Sequence, residues 1–227
     1  MKRAHLEAAR DTVVVTVRQR CFWLFAALLL LIVSVPFLEE TPYGRIALNV
    51  TTLLVLISGA AAIGRSAGAI VITVLLAMPT AVFLFLAVVQ GQKHFMIYSQ
   101  AFGAAFFFAI TSYLLSYTLR RDVMTMDKLY GAAAAFLMLG VLWAYLYAIL
   151  LAFYPGALLM NGAPMTAWLP STMLYFSFVT LTATGMSDIM PAHAVARMLC
   201  ALEMITGILF IAVLIARLAG SYPPPER

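Results

Sequence analysis

Apolar residues along the chain form six long stretches that are separated by short polar segments. A helix rises about 1.5 Å per residue, so each stretch is long enough to cross a hydrocarbon core of about 30 Å. The pattern therefore predicts six membrane-spanning helices. They cover residues 21–38, 46–63, 67–89, 96–119, 129–153 and 194–219.

The segment between the fifth and sixth predicted spans, residues 154–193, is too polar and too interrupted to be a span itself. Its apolar part, residues 173–181, is too short to cross a bilayer, which is typical of a re-entrant segment. Irregular backbone at membrane depth is tolerated only where protein or water covers it. We predict a short helix over residues 175–182, with Ser171 or Thr172 as its N-cap.

Composition and charge agree with a membrane protein. Of the 227 residues, 64% are hydrophobic and only 10% are charged, which excludes an ordinary soluble domain of this size. With the N-terminus placed inside, all but three of the 14 lysines and arginines fall on the cytoplasmic side, the exceptions being Arg45, Lys93 and Arg197. Basic residues favour that side, so both termini are predicted to be cytoplasmic. Topology thus explains the net charge of +5 without nucleic-acid binding.

The polar and sulfur-containing side chains form no recognisable catalytic or metal-binding motif. Cys21 and Cys200 both fall inside predicted spans, where a structural disulfide or metal site is not expected. Ser187 and His193 are close in sequence, but no nucleophile-elbow motif surrounds the serine. We therefore expect neither enzymatic activity nor a cofactor.

The most informative motif lies at residues 174–191, which read Leu-Tyr-Phe-Ser-Phe-Val-Thr-Leu-Thr-Ala-Thr-Gly-Met-Ser-Asp-Ile-Met-Pro. This stretch resembles the pore loop of bacterial tetrameric potassium-type channels, a short apolar helix followed by a filter strand that is usually Thr-Val-Gly-Tyr-Gly-Asp. Residues 196–207 resemble the inner helix of that family, in which a glycine, here Gly207, acts as a hinge. The resemblance covers about residues 142–220. The front of the chain is similar, on weaker motifs, to a six-span group without voltage-sensor arginines.

The resemblance implies an all-α membrane protein with six transmembrane helices. A re-entrant pore helix and filter loop lie between the fifth and sixth, and the subunits assemble as a homotetramer in the bacterial inner membrane. The implied function is passive ion conduction, with membrane lipids and permeant K⁺ or Na⁺ as partners. The implied ion-binding filter is Thr182, Ala183, Thr184, Gly185, Met186 and Ser187, the pore mouth carries Asp188, and an apolar gate is lined by Ile208, Ile211, Ile215 and Ala219.

The implied organisation has four parts. They are a cytoplasmic N-terminal segment 1–20, a four-helix front membrane domain 21–121, a pore domain 122–220 with outer helix 128–153, pore loop 171–191 and inner helix 194–219, and a C-terminal tail 221–227. The N-terminal segment is compatible with a surface helix at the lipid headgroups or with a partner-binding or gating element. The fourth span, 96–119, carries no basic residue, so strong voltage sensing is not expected.

The filter departs from the usual family sequence at positions that matter for potassium selectivity. Ala183 lacks the threonine hydroxyl that lines the innermost ion site. Met186 replaces the aromatic residue that holds the filter open, and methionine is flexible. Ser187 replaces the second glycine, so a positive φ there costs about 1 kcal/mol. We predict a wider filter that conducts monovalent cations with reduced selectivity. The alternative is a collapsed filter in a non-conducting or regulatory channel-like subunit.

Glu203 is the one acidic residue well inside a predicted span. Such a residue faces protein or water rather than lipid, because a charge is costly in hydrocarbon. We predict that it supports the filter from behind through a hydrogen bond to Ser177 or Thr180, in an ionised or a protonated form. A purely structural polar bridge is the alternative.

Overall fold

The structure is a computed structural model that describes residues 20–39, 41, 44–62, 67–119, 125–166, 168–186 and 188–219. Three of the predictions lie outside the described residues. They concern the N-terminal segment up to residue 19, the filter residue Ser187 and the C-terminal tail 221–227.

Seven α-helices are present in the described part of the chain. They are α1 (Arg20–Glu39), α2 (Gly44–Ala62), α3 (Ala67–Gln90), α4 (Lys93–Thr118), α5 (Met126–Phe153), α6 (Pro170–Leu181) and α7 (Ala194–Ala219). Six of them occupy the long apolar stretches. The short helix α6 lies in the segment that was predicted to be re-entrant.

Four of the long helices, α1, α4, α5 and α7, are long and apolar enough to cross a membrane. In α2 and α3 the apolar stretches found among the described residues are shorter, Val50–Gly59 and Val71–Ala87. That these two helices also cross the membrane stays a prediction.

Helix α5 is the centre of the fold, with buried residues along its whole length. It packs against α1, α4, α6 and α7, while α2 packs on α1 and α3 packs on α4. The contact between α4 and α5 is close, because a Cβ on Gly103 would come within 2.7 Å of the Tyr145 ring. Of the front helices, which we define as α1 to α4, α1 and α4 therefore pack directly on the α5 helix of their own chain, and α2 and α3 are connected to it through them.

A polar junction joins three helices at the start of α5. The Asp127 carboxylate accepts a hydrogen bond from the Cys21 N–H of α1 at 3.1 Å and another from the Tyr117 O–H of α4 at 3.2 Å. An acidic side chain in the first turn of a helix also interacts favourably with the helix dipole. This junction fixes α1, α4 and α5 relative to one another at one end.

The prediction of an all-α fold missed a small antiparallel sheet between α5 and α7. Its strands are β1 (Leu158–Met160), β2 (Ala163–Pro164) and β3 (Ile189–Pro191), in the order β2-β1-β3. Met160 pairs with Ala163, so Asn161 and Gly162 form a two-residue turn, with φ values of 51° and 82°. Asn-Gly is the preferred sequence for such a turn, because both central residues need positive φ. Strand β3 follows the predicted filter in sequence. It pairs with β1, which comes shortly after the C-terminal end of α5, so β3 is held near that end.

Candidate ion-conduction site

One face of α6 is buried, and the spacing of its residues explains why. Met173, Phe176, Ser177, Thr180 and Leu181 are buried and recur at intervals of three or four residues, which places them on one side of a helix. This side packs against α5 and α7.

The start of α6 differs from the prediction. The helix begins earlier, at Pro170, where a proline is favourable because the first helical N–H has no partner within the helix. Its N-cap is Leu169, which offers no side-chain hydrogen bond, so the prediction of Ser171 or Thr172 as the cap is wrong. The Ser171 N–H instead donates to Oε2 of Glu39, the last residue of α1, at 3.0 Å.

The filter segment, which we define as residues 182–186, follows directly on α6. Thr182 is the C-cap of the helix, with φ of −83°. Ala183 and Gly185 both have positive φ, 54° and 71°, and Thr184 between them does not. The Thr182 and Thr184 hydroxyl oxygens lie 2.7 Å apart and share a hydrogen bond. The backbone conformation therefore alternates along the segment, although the first of the two positive-φ positions is an alanine.

A tyrosine on α6 holds the outer part of the filter segment. The Tyr175 hydroxyl donates a hydrogen bond to the carbonyl oxygen of Met186. The Met186 side chain is 73% exposed in the single chain and packs against little. A hydrogen bond from α6 therefore holds the backbone at position 186, and sequence reasoning did not anticipate it.

Beyond the filter segment, the chain enters the small sheet. The Asp188 carbonyl accepts a hydrogen bond from the Asn161 N–H at 3.0 Å, and the Asp188 side chain is exposed. Further along, the His193 ring stacks on Tyr154 at the end of α5, with centroids 4.7 Å apart. Asp188 is thereby placed at the edge of the sheet with its carboxylate open to solvent.

Glu203 lies fully buried behind α6 and makes two short contacts. Its Oε1 atom is 2.6 Å from the Ser177 hydroxyl, and its Oε2 atom accepts from the Tyr147 O–H at 2.5 Å. Of the two partners considered from the sequence, Ser177 is therefore the one used, whereas the Thr180 hydroxyl donates to the backbone of its own helix. The contribution of Tyr147 was missed, since nothing in the sequence relates α5 to this position.

Counting protons in this cluster indicates that Glu203 is protonated. The Ser177 oxygen is also 2.7 Å from the Gly140 carbonyl, which can only accept. A serine hydroxyl has one proton, so it can donate to Gly140 or to Glu203 but not to both. Both contacts are satisfied together when Glu203 Oε1 carries a proton and donates to Ser177. Tyr147 is likewise 3.4 Å from the sulfur of Cys200, whose S–H can donate to the tyrosine oxygen. The result is one continuous chain of hydrogen bonds.

Gly207 has a packing role that the hinge prediction did not include. A Cβ on this residue would lie 1.8 Å from the Leu181 carbonyl oxygen, at the last residue of α6. Only a residue without a side chain allows α7 to approach the backbone this closely. Nothing in the structure tests the hinge itself.

The predicted gate residues lie on an exposed side of α7. Ile208, Ile211, Ile215 and Ala219 are all exposed in the single chain, and their spacing places them on one face of the helix. Apolar side chains in such a position can form a constriction when several copies meet.

Comparison with known proteins agrees with this arrangement. Residues 134–221 match a protein-family model described as Ion channel. The matched range includes most of α5 together with α6, the filter segment and α7, and it does not include the front helices. No curated protein and no solved structure matches the chain. The match, together with four long apolar helices, supports an ion channel in a multi-pass membrane protein, and hence a function other than catalysis.

Proposed function

We propose that the protein is a channel subunit that conducts monovalent cations passively, with potassium permeant and with reduced selectivity. Four copies surround one pore in the bacterial inner membrane, with both termini in the cytoplasm. The observation that carries this proposal is the alternating backbone at the end of α6, where Ala183 and Gly185 have positive φ. A carbonyl-lined filter requires such alternation, because successive carbonyls must point to the same side.

The exposed apolar surface of α7 supports assembly into a tetramer. Met198, Leu202, Ile205 and Leu209 are each at least half exposed in the single chain, and they lie on a helix that is long enough to span a membrane. A single chain also supplies one filter segment, which is a quarter of a fourfold filter. The C-terminal ends of four α6 helices would then point towards the pore, and the negative end of each helix dipole favours a cation there.

Two features of the filter segment support reduced selectivity. Ala183 has no hydroxyl to act as a ligand at the innermost site. The Met186 carbonyl is engaged by the Tyr175 hydroxyl, so it is not free to replace water around an ion. Fewer carbonyl rings leave the ion more of its own hydration shell, and discrimination between K⁺ and Na⁺ weakens.

The same hydrogen bond favours a second candidate function. If Tyr175 holds the Met186 carbonyl permanently away from the pore axis, the outer filter is closed to ions. The protein would then be a non-conducting or regulatory subunit that assembles with an intact channel.

Ion flux from liposomes that contain the purified protein tests both proposals. Potassium, sodium and N-methyl-D-glucamine are compared. Flux of both K⁺ and Na⁺, without the large cation, is expected for the weakly selective channel. Flux of K⁺ alone would contradict the loss of carbonyl rings. Absence of flux from a confirmed tetramer, with current appearing only after Ala183→Thr, Met186→Tyr and Ser187→Gly are combined, would favour the non-conducting subunit.

A further inference from the structure

We infer that Glu39, at the end of α1, acts as a positioning residue for the filter by capping the pore helix α6. The inference rests on the proposed conduction through the filter segment. It assigns a role to a residue outside the matched channel region, and it gives the front helices a direct connection to the ion pathway.

Helix α6 has no side-chain cap of its own at its start. The N-cap Leu169 has no polar side chain, and Pro170 has no N–H. The next N–H, on Ser171, is one that an ordinary N-cap side chain would accept. Glu39 Oε2 accepts it instead, at 3.0 Å, from a position 132 residues away in sequence. Glu39 therefore does from another helix what a local cap does in most helices.

The charge and the surroundings of Glu39 both favour this contact. A carboxylate at a helix N-terminus is stabilised by the positive end of the helix dipole, and partial burial reduces screening. The other carboxylate oxygen, Oε1, is buried and has no hydrogen-bond partner among the described residues. The start of α6 is thus the hydrogen-bond partner that the structure shows for this carboxylate.

A cavity lies beside this contact. Glu39 and Trp168 both line a cavity of about 320 Å³ between the front helices, α5 and the start of α6. The Trp168 Nε1 atom is also buried without a partner in the described part of the chain. The Glu39–Ser171 hydrogen bond is thus a polar contact between α1 and the start of α6 that lies beside a space protein atoms do not fill.

Helix α6 connects the Glu39 contact at its start to the filter segment at its end. Helix α6 is a single rigid element of 12 residues. Tyr175, which lies in this helix, holds the Met186 carbonyl. A displacement of the start of α6 therefore moves the group that braces the filter segment, and the position of α1 biases the geometry that ions encounter.

The experiment compares Glu39→Ala and Glu39→Gln with Glu40→Gln, a matched control that removes the neighbouring acid. Hydrogen exchange is followed for peptides that cover residues 168–174 and 182–190, and K⁺ and Na⁺ fluxes are measured in liposomes. Loss of a cap changes a local equilibrium by about fivefold. We expect Glu39→Ala to accelerate exchange in both peptides by about that factor and to lower the K⁺/Na⁺ flux ratio. Glu39→Gln keeps an acceptor oxygen and should have a smaller effect, and Glu40→Gln none.

A rescue variant separates capping from a general loss of stability. In Glu39→Ala combined with Leu169→Asp, a local N-cap replaces the distant one, and Leu169 is exposed enough to accept the change. Recovery of slow exchange and of the flux ratio is expected. Unchanged exchange in Glu39→Ala, or no recovery in the double variant, would overturn the inference. If the wild-type protein does not conduct but exchange responds as expected, the proposed conduction fails while the positioning of the filter segment by Glu39 stands.

Discussion

The two sides of helix α6 are built very differently. Behind it, Ser177 and Glu203 are completely buried and hydrogen-bonded, and Gly207 lies against the backbone of the helix end. In front of it, the filter segment is exposed in the single chain, and the space around the Cβ position of Gly185 is empty within 4 Å. The buried side of α6 is closely packed, whereas the filter segment on its other side makes few contacts within its own chain.

This difference means that the filter segment tolerates substitutions that the surroundings of α6 do not. A substitution behind α6 creates a collision or leaves a buried polar group without a partner, and both are costly. A substitution in the filter segment changes few contacts within the chain. The sequence of the filter segment can therefore change without loss of the fold that positions it.

The largest effect is expected for Gly207→Ala, which would separate α7 from α6 and so disrupt the close packing behind α6. The new methyl group would lie 1.8 Å from the Leu181 carbonyl oxygen, and a backbone atom cannot easily move away. We expect destabilisation by about 3 kcal/mol or more, with loss of assembled protein. Thermal unfolding in detergent and particle mass measure this.

The control for that variant is Ile208→Ala, at the next position of α7. Ile208 is more than half exposed, so we expect its truncation to cost little stability in the single chain. If Gly207→Ala unfolds at the same temperature as this control and alters only channel opening, Gly207 is a hinge and not a packing residue.

The second largest effect is expected at Glu203 and depends on the replacement. Alanine would leave the Tyr147 hydroxyl without its buried acceptor and would open a cavity, which costs about 3 kcal/mol. Glutamine can still donate to Ser177 and accept from Tyr147, so Glu203→Gln should stay within about 1 kcal/mol of the wild type. Thermal unfolding of the two variants tests the protonated form. Equal destabilisation by glutamine and alanine would mean that Glu203 is ionised.

Much of the fold could be predicted from the sequence, because apolar stretches of sufficient length predict the helices directly. Glu203 could be singled out because an acid is unusual inside an apolar helix, and Gly207 through the resemblance of this stretch to a channel inner helix. The sheet was predictable in part, as Asn161-Gly162 is a strong turn signal that the high apolar content obscured.

The hydrogen bonds that Glu39 makes with the start of α6 and that Tyr175 makes with the filter segment could not be predicted in the same way. Glu39 contacts Ser171 across 132 residues of sequence, and no local pattern relates the two. Tyr175 and Met186 are closer in sequence, but their hydrogen bond depends on where the filter backbone turns. That turn includes a positive φ at Ala183. Alanine seldom adopts positive φ, so its presence in the sequence does not predict this conformation.

A smaller effect is expected for Tyr175→Phe, which would remove a contact from the filter side of α6. The lost hydrogen bond to the Met186 carbonyl contributes about 1 kcal/mol, so the outer filter segment should become more mobile. The released Met186 carbonyl is then too mobile to form an ordered ring, and the ring at Gly185 loses its support. We expect the K⁺/Na⁺ flux ratio to fall by up to about fivefold, with little change in thermal stability.

Tyr154→Phe is the control for that change, because Tyr154 lies at the end of α5 and stacks on His193 away from the filter. It should leave the flux ratio as in the wild type. A rise in the ratio for Tyr175→Phe would show that the released Met186 carbonyl binds ions and that the ring at Gly185 does not depend on this hydrogen bond.

The smallest effect, and the sharpest test of the filter backbone, is expected for Ala183→Gly. Ala183 has φ of 54°, a conformation that costs an L-residue about 1 kcal/mol, and glycine removes this cost. Glycine also increases the entropy of the unfolded chain by a similar amount, so the net change should be near zero or slightly stabilising. Ala192→Gly is the matched control, since Ala192 has no positive φ and should lose about 0.5–1 kcal/mol. Thermal unfolding of the two variants should therefore give different signs or clearly different sizes. If both lose the same stability, Ala183 does not have the left-handed conformation, and the alternating filter backbone on which conduction is proposed would have to be abandoned.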